Sequence, residues 1–126
     1  MRSEAEAVEN VMRMVRQGLA TWVTSTVLYI EVSRNPVADR RRDAETLLLF
    51  ASEIVVPNRA VADRAQRIEE LGFSPFDALH LAGAEQGGAD VLLTTDDDIL
   101  RRARRCPGQL HTRVENPVSW YLEVQS

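Results

Sequence analysis

The chain contains no lysine, and all fifteen of its basic side chains are arginine. Phosphoryl-transfer proteins that hold the phosphoryl group with a lysine, such as response-regulator receivers and haloacid-dehalogenase-type phosphatases, are therefore disfavoured. Cysteine is almost absent as well, because Cys106 is the single example. One cysteine can form neither an internal disulfide nor a thiolate metal cluster, so any bound metal must be held by oxygen or imidazole ligands.

Long apolar runs are also lacking. No segment approaches the roughly 18 residues needed to cross a bilayer, and the N-terminal stretch MRSEAEAVENVM carries charges where a signal peptide would be apolar. We therefore expect a cytoplasmic protein. Its 126 residues, 44% of them hydrophobic, are enough to bury one core, so we expect a single domain over residues 1–126.

The net charge of -4 argues against a wholly basic nucleic-acid-binding face. Two local groups of arginine remain, Arg40 to Arg42 and the four arginines within residues 101–105. A solvated helix face explains both groups, and contact with phosphates beside an acidic pocket is the functional alternative.

Helical spacing of apolar residues alternates with short β-branched segments along the chain. This alternation predicts βαβ units, and hence a three-layer α/β fold with a parallel sheet flanked by helices. Within the helix predicted over 37–52, the inner face should carry Ala44, Leu47, Leu48 and Ala51. The predicted helices are 2–17, 26–34, 37–52, 59–71, 75–86, 97–105 and a last one from 117, and the predicted strands are 21–24, 54–56, 91–94 and 112–115.

Asp77 stands at the start of an almost wholly apolar helix. Ser74, Pro75 and Asp77 occupy its cap, first and third positions, a pattern typical of a capping box. Because His80 is the only strongly polar residue in the following run Ala78 to Ala84, the helix should be buried on most sides. Asp77 is therefore either a capping acid or a carboxylate lining an enclosed pocket.

Asp96, Asp97 and Asp98 follow a hydrophobic strand. Ligands of parallel sheets bind beyond the carboxyl ends of the strands, which is where Asp96 falls. One acid would be enough to cap the next helix. Since three clustered acids repel one another, a bound cation is the alternative explanation.

Glu31 lies inside an apolar helical arc, between Val27 on one side and Leu28 with Val32 on the other. A buried carboxylate needs a partner, either an arginine or a cation shared with other acids. Glu31, Asp77 and Asp96 together would form an all-oxygen site. Hard oxygen ligands favour Mg²⁺ or Mn²⁺, which can activate water for phosphodiester hydrolysis.

Together these motifs resemble the PIN-domain family of metal-dependent ribonucleases, which includes the VapC-like toxins. The matching segments are STVLYIE at 25–31, FDALHLA at 76–82, ADVLLTTD at 89–96 and the Asn116-Pro117 start of the last helix. The resemblance extends from about Ala5 to Val124 and implies a parallel sheet with helices on both faces.

The resemblance implies that Glu31, Asp77 and Asp96 are the catalytic acids and, with Asp98, the ligands of Mg²⁺ or Mn²⁺. Thr94, Thr95 and Arg101 would contact the substrate. The implied partners are RNA, an antitoxin protein and a second copy of the chain. Trp120, Tyr121 and Leu122 on the last helix belong either to the core or to a dimer surface.

One family feature has no counterpart in the sequence. PIN domains begin with a central strand that ends in an aspartate, and no such strand precedes the helix at Arg2. We therefore expect a sheet lacking its central first strand, with a hole, a rearrangement or a partner-supplied strand in its place. Nuclease activity should be reduced or absent, and a non-catalytic module that binds protein or RNA is the alternative function.

Overall fold

The computed structural model describes residues 3–125, except for the side chains of Val27, Tyr29 and Glu31. Seven helices and four short strands alternate over these residues, as the sequence pattern predicts. The helices are α1 (Glu4–Arg16), α2 (Thr26–Ser33), α3 (Ala38–Leu48), α4 (Arg59–Glu69), α5 (Pro75–Gln86), α6 (Asp97–Arg105) and α7 (Pro117–Gln125). The strands are β1 (Val23–Ser25), β2 (Glu53–Val55), β3 (Val91–Leu93) and β4 (Arg113–Glu115).

Local signals explain where several helices begin. Ser3, Asn58, Ser74 and Asp96 are N-caps whose side chains accept hydrogen bonds from backbone amides of the first turn. Helix α1 is followed by Gly18, whose φ of 76° is a left-handed conformation that glycine adopts without a Cβ clash. These helix ends follow from residues that are neighbours in sequence.

Helix α3 departs from the prediction, because it ends at Leu48 rather than at Ser52. The amides of Leu49, Phe50 and Ala51 bond to carbonyls three residues back, and the amide of Ser52 bonds to the Trp22 carbonyl oxygen at 2.9 Å. Pairing with the chain that leads into β1 therefore replaces the last helical turn.

The predicted inner face of α3 is wrong at Leu47. Leu48 is buried at 3% exposure, but the Leu47 side chain is 37% exposed. Ala51 is half-buried and lies beyond the helix end. Of these residues Leu48 is buried, whereas Ala44 is half-buried.

The strands form two separate parallel pairs. Strand β1 pairs with β2, with Thr24 opposite Ile54, and β3 pairs with β4, with Leu92 opposite Val114. Within residues 3–125 no strand bridges β1 and β3. The expected parallel α/β architecture is therefore present, with its sheet divided into two ribbons.

Helix α5 connects the two ribbons. It packs against β1, β2 and β3, and α4 packs along it. The main core cluster lies between these elements and includes Val61, Ile68, Ala78 and Leu81, each no more than 2% exposed. Helices α1 and α7 pack on each other. No helix within residues 3–125 is both long enough and apolar enough to cross a membrane.

Candidate active site

The orientation of α5 places Asp77 relative to the strands. A Cβ atom at Gly83 would lie 3.8 Å from the Ser25 Cβ, at the end of β1, and one at Gly87 would lie 2.7 Å from the Val23 Cγ1, at its start. Helix α5 therefore runs antiparallel to β1. Asp77 lies six residues before Gly83, about 9 Å along the helix axis, and so beyond the carboxyl end of β1.

Asp77 is half-buried at the third position of α5. Its amide donates a hydrogen bond to the Ser74 Oγ at 3.2 Å, which confirms Ser74 as the helix cap. Within the described residues the Asp77 carboxylate accepts no hydrogen bond, so the reciprocal half of a capping box is not formed there. The cap does not use the carboxylate of Asp77, which remains available to a ligand.

Asp96 follows β3 and is the N-cap of α6. Its Oδ1 accepts hydrogen bonds from the amides of Asp98 at 2.9 Å and Ile99 at 3.3 Å. The Asp96 amide donates to the Thr94 Oγ1 at 3.1 Å. Capping therefore uses one oxygen of the Asp96 carboxylate and leaves Oδ2 without a hydrogen bond from the described residues.

The neighbouring candidates lie just before α6 and in its first two turns. Asp98 forms an ion pair with Arg101, so these two candidates are partners of each other. Thr94 is half-buried, and its amide donates to the Glu115 carbonyl oxygen at 3.0 Å. Thr95 and Asp97 are exposed to solvent. Thr94 therefore stiffens the turn that presents Asp96.

The backbone of Glu31 lies in α2, the helix that directly follows β1 and packs against α5. Its side chain lies outside the described residues, so its predicted convergence with Asp77 and Asp96 stays a prediction. Among the side chains that are described, no three acidic, histidine or cysteine groups gather closely enough to hold a metal ion. The carboxylates of Asp77 and Asp96 suit a hard divalent cation chemically, and a third ligand such as Glu31 would be needed to complete such a site.

Glu4 is a further acid near the strand ends. Its carboxylate accepts a hydrogen bond of 2.5 Å from the Asn116 Nδ2, and Asn116 directly follows β4. The two residues are 112 positions apart, so no local pattern could have indicated the contact. The start of α1 is therefore held at the carboxyl end of the second ribbon.

A second charged cluster, centred on Glu85, was not predicted. The Glu85 side chain is 8% exposed and receives two hydrogen bonds from Arg64, at 2.7 and 3.1 Å. The His111 amide donates to it at 2.8 Å, and Arg64 also donates to the Gln109 carbonyl oxygen at 2.7 Å. The cluster joins α4, α5 and the loop before β4.

The pKa values of this pair reflect their contact. Burial by itself would raise the pKa of the Glu85 carboxyl, but the hydrogen bonds from Arg64 and His111, with the nearby positive charge, hold that pKa below its ordinary value. The hydrogen bond to Glu85 raises the pKa of Arg64. Because Arg64 and Glu85 are hydrogen-bonded to each other, this cluster is better explained by stabilisation of the fold than by catalysis.

The arginine groups are mostly exposed and partly paired. Arg41 and Arg42 contact acids of their own helix, as Arg101 does. Arg104 and Arg105 are exposed and have no ion pair within the described part of the chain. These last two lie at the end of α6, one helix away from Asp96.

Comparison with known families matches this chain to one of them. The family model described as PIN domain matches residues 2–105. Glu31, Asp77 and Asp96 all lie inside the matched segment, whereas β4, the Asn116-Pro117 pair and α7 lie beyond it. Among curated proteins, no sequence matches the chain.

Proposed function

Because the chain belongs to the PIN-domain family, whose fold is that of nucleases, we propose that it is a metal-dependent endoribonuclease that hydrolyses RNA phosphodiester bonds. The observation that carries the proposal is the placement of two acids. Asp77 lies beyond the carboxyl end of β1, and Asp96 lies three residues after the end of β3. Ligand sites of parallel α/β folds are built at this end of the strands.

Each acid has a proposed role. Asp77, Asp96 and Glu31 hold a Mg²⁺ or Mn²⁺ ion, with Asp98 as an additional or outer ligand. When bound, such an ion supplies a Lewis acid that lowers the pKa of water and offsets phosphoryl charge. Thr94, Thr95 and Arg101 contact the RNA backbone around the scissile phosphate.

The hydrogen bonds of Asp96 support different roles for the two oxygens of its carboxylate. Its Oδ1 caps α6 and so fixes the side chain, while its Oδ2 is left for the cation. The capped turn is held in place by Thr94, whose amide bonds to the second ribbon. The structure of the turn therefore pre-orients one ligand before any cation binds.

The test is RNA cleavage by the 126-residue chain in Mn²⁺ and in EDTA. We expect slow, EDTA-sensitive cleavage that falls at least about 100-fold in Asp77→Asn and in Asp96→Asn, because each change weakens the bound metal ion. Asparagine caps a helix as well as aspartate does, so Asp96→Asn removes charge and keeps the fold. Asp97→Asn is the matched control, since Asp97 is an exposed neighbour without a proposed role.

The proposed site residues would be contradicted if Asp97→Asn lost as much cleavage activity as the site variants. They would also be contradicted if Asp77→Asn and Asp96→Asn both cleaved RNA as fast as the unmodified chain. Absence of cleavage and of Mn²⁺ binding by the folded chain would favour the second candidate function. That function is a non-catalytic PIN-type module that binds RNA or a protein. The observation favouring it is that two of the proposed ligands already have partners in the chain, because Asp96 caps α6 and Asp98 pairs with Arg101.

We further propose a toxin of a toxin–antitoxin pair as the biological setting, with an antitoxin protein as partner. This assignment rests on the likeness of the 25–31, 76–82 and 89–96 segments to VapC-like toxins. Growth arrest on expression of the chain in bacteria, absent in Asp77→Asn, would support it. Unimpaired growth with the chain present in soluble form would contradict it.

A further inference from the structure

Phe76, at the second position of α5, carries a phenyl ring that is 48% exposed. Phe73, three residues earlier, is 4% exposed and belongs to the main core cluster. The ring of Phe76 therefore lies outside that core. Because single exposed apolar side chains are ordinary on protein surfaces, a role for Phe76 depends on where its ring lies.

Phe76 shares one face of α5 with two glycines that contact β1. Gly83 and Gly87 follow Phe76 by seven and eleven residues, which is about two and three turns of an α-helix. A Cβ atom at Gly83 would lie 3.8 Å from the Ser25 Cβ, and one at Gly87 would lie 2.7 Å from the Val23 Cγ1. The ring of Phe76 therefore projects from the face of α5 that packs on β1.

Phe76 lies past the end of that strand. Strand β1 ends at Ser25, beside Gly83, and Phe76 is about 10 Å further along the helix axis. Side chains of a helix also tilt toward its N-terminus, which carries the ring further in the same direction. The ring therefore projects beyond the carboxyl end of β1, the same end of the strand as Asp77.

This position places a flat apolar surface next to a proposed metal ligand. Phe76 and Asp77 are adjacent in the first turn of α5, so their Cα atoms are only about 3.8 Å apart. A phosphate bound beside Asp77 would bring the base of that nucleotide, or of the next one, within reach of the ring. Bases stack on exposed aromatic side chains, because every base has an aromatic face.

We propose that Phe76 stacks on an unpaired base next to the scissile phosphate, and that it thereby selects single-stranded RNA as the substrate. This inference rests on the proposed function and adds the class of RNA that the site accepts. In a duplex each base is paired and stacked between its neighbours, so its face is not open to Phe76. A single strand can turn one base onto the ring without breaking base pairs.

The residues next to the ring favour a nucleotide over an apolar protein surface. Ser74 and Asp77, on either side of Pro75 and Phe76, are polar. A surface that binds another protein is generally an apolar patch of roughly several hundred Å². One exposed ring is enough to stack one base. The size and surroundings of this exposed apolar surface therefore match a base.

The first test is the affinity for a short single-stranded RNA, measured by fluorescence anisotropy in EDTA so that no metal-dependent cleavage occurs. Phe76→Leu, which keeps an apolar side chain but removes the aromatic face, should weaken binding at least about fivefold. Phe76→Trp should bind at least as tightly as the unmodified chain, since indole also stacks on bases. A perfect duplex of the same sequence should bind the unmodified chain and Phe76→Leu equally.

The second test detects the stacked base itself. The RNA carries a fluorescent adenine analogue whose emission is quenched when it stacks, and this quenching should be lost in Phe76→Leu and retained in Phe76→Trp. Phe50→Leu is the matched control, because Phe50 is 42% exposed and precedes β2, which is parallel to β1. Phe50 therefore lies at the opposite end of the strands from Asp77, and its replacement should leave both the affinity and the quenching unchanged.

Stacking by Phe76 would be excluded if Phe76→Leu bound single-stranded RNA as tightly as the unmodified chain, or if Phe50→Leu weakened binding equally. A loss that Phe76→Trp shares, or that is equally large for the duplex, would also exclude it, as would an unmodified chain that binds no single-stranded RNA. Because binding is measured without cleavage, the two proposals can fail separately. RNA binding that depends on Phe76, in a chain that never cleaves RNA, would contradict the proposed nuclease and support the stacking role.

Discussion

At the scale of single residues, Glu85 shows how one carboxylate can join distant parts of the chain. Its partners Arg64 and His111 lie 21 and 26 residues away. The Glu85 side chain is 8% exposed, so it needs these partners to offset the loss of water. Its pKa is lower in the folded protein than its ordinary value of 4.5.

The lowered pKa predicts the direction of acid sensitivity. A carboxyl whose folded pKa is depressed stabilises the protein above its unfolded pKa, and that stabilisation is lost as the pH falls through the folded pKa. Folding stability should therefore decline as the pH is lowered below about 4.5. Glu85→Gln should cost about 1–3 kcal/mol near pH 7, because Arg64 loses its charged partner.

Urea unfolding at pH 7 and pH 4 measures both effects. Glu85→Gln should show a smaller stability difference between the two pH values than the unmodified chain does. Glu69→Gln, an exposed change on α4, should show the same difference as the unmodified chain. A Glu85→Gln variant as stable as the unmodified chain at pH 7 would show that the cluster contributes nothing to folding.

At the scale of elements, α5 combines a buried middle with a proposed metal ligand in its first turn. Its middle is buried at Ala78, Leu81, Ala82 and Gly83. Its first turn carries Asp77, and its last turn approaches β1 and β2 so closely that a Cβ at Gly87 would lie under 3 Å from Val23 and Val55. A rigid helix anchored at its far end positions the Asp77 backbone better than a loop would.

The two ribbons that α5 joins are short, and within residues 3–125 each of their strands is paired on one side only. Thr24 and Ser25 of β1 are nevertheless buried, at 5% and 8% exposure, and the Thr24 hydroxyl has no hydrogen-bond partner among the described residues. Buried backbone and hydroxyl groups without partners are costly. The two short ribbons, and β1 in particular, should therefore be weak points of the fold.

Hydrogen exchange should reveal this weakness. Amides of β1 and β3 should exchange at least about tenfold faster than those of Ala78 to Gly83 in α5, since local opening of a two-stranded ribbon breaks few bonds. Residues Val61 to Ile68 of α4 are the control for a well-packed helix and should be as slow as α5. Equal protection of β1, β3 and α5 would mean that the outer strand edges have a hydrogen-bond partner.

At the scale of the whole molecule, charge is distributed unevenly. Acids gather where Asp96, Asp97 and Asp98 follow β3, and arginines end the same helix at Arg104 and Arg105. A chain of net charge -4 attracts a polyanion only through such local groups. Under the proposed function, RNA would approach the acids along the end of α6.

Reversing the charge of these two arginines tests this arrangement. Arg104→Glu combined with Arg105→Glu should weaken binding of single-stranded RNA and reduce the log–log slope of affinity against salt by roughly 0.7 for each phosphate that is no longer neutralised. The measurement is fluorescence anisotropy across a series of salt concentrations. Arg34→Glu combined with Arg59→Glu makes the same charge change on exposed arginines outside both groups. If the two double variants weaken RNA binding equally, the net charge of the chain, and not the position of Arg104 and Arg105, determines the affinity.

Much of the fold and part of the site could be predicted from the sequence alone. The helix starts at Ser74 and Asp96, the parallel α/β class and the family were predicted correctly, because capping, strand length and short motifs are local properties. The absence of lysine and the single cysteine determined which chemistries were available. For the acids at 96–98, the sequence allowed a helix-capping role or a cation-binding role. The structure confirms the capping role for Asp96.

Which distant groups meet depends on how the whole chain packs. The Glu85 cluster, the contact of Glu4 with Asn116 and the early end of α3 all depend on contacts between residues far apart in sequence. Helical periodicity placed Leu47 inside, but its side chain is 37% exposed in the folded chain. The physical reason is that a backbone amide can take a local or a distant partner, and packing of the whole chain determines which of the two has the lower free energy.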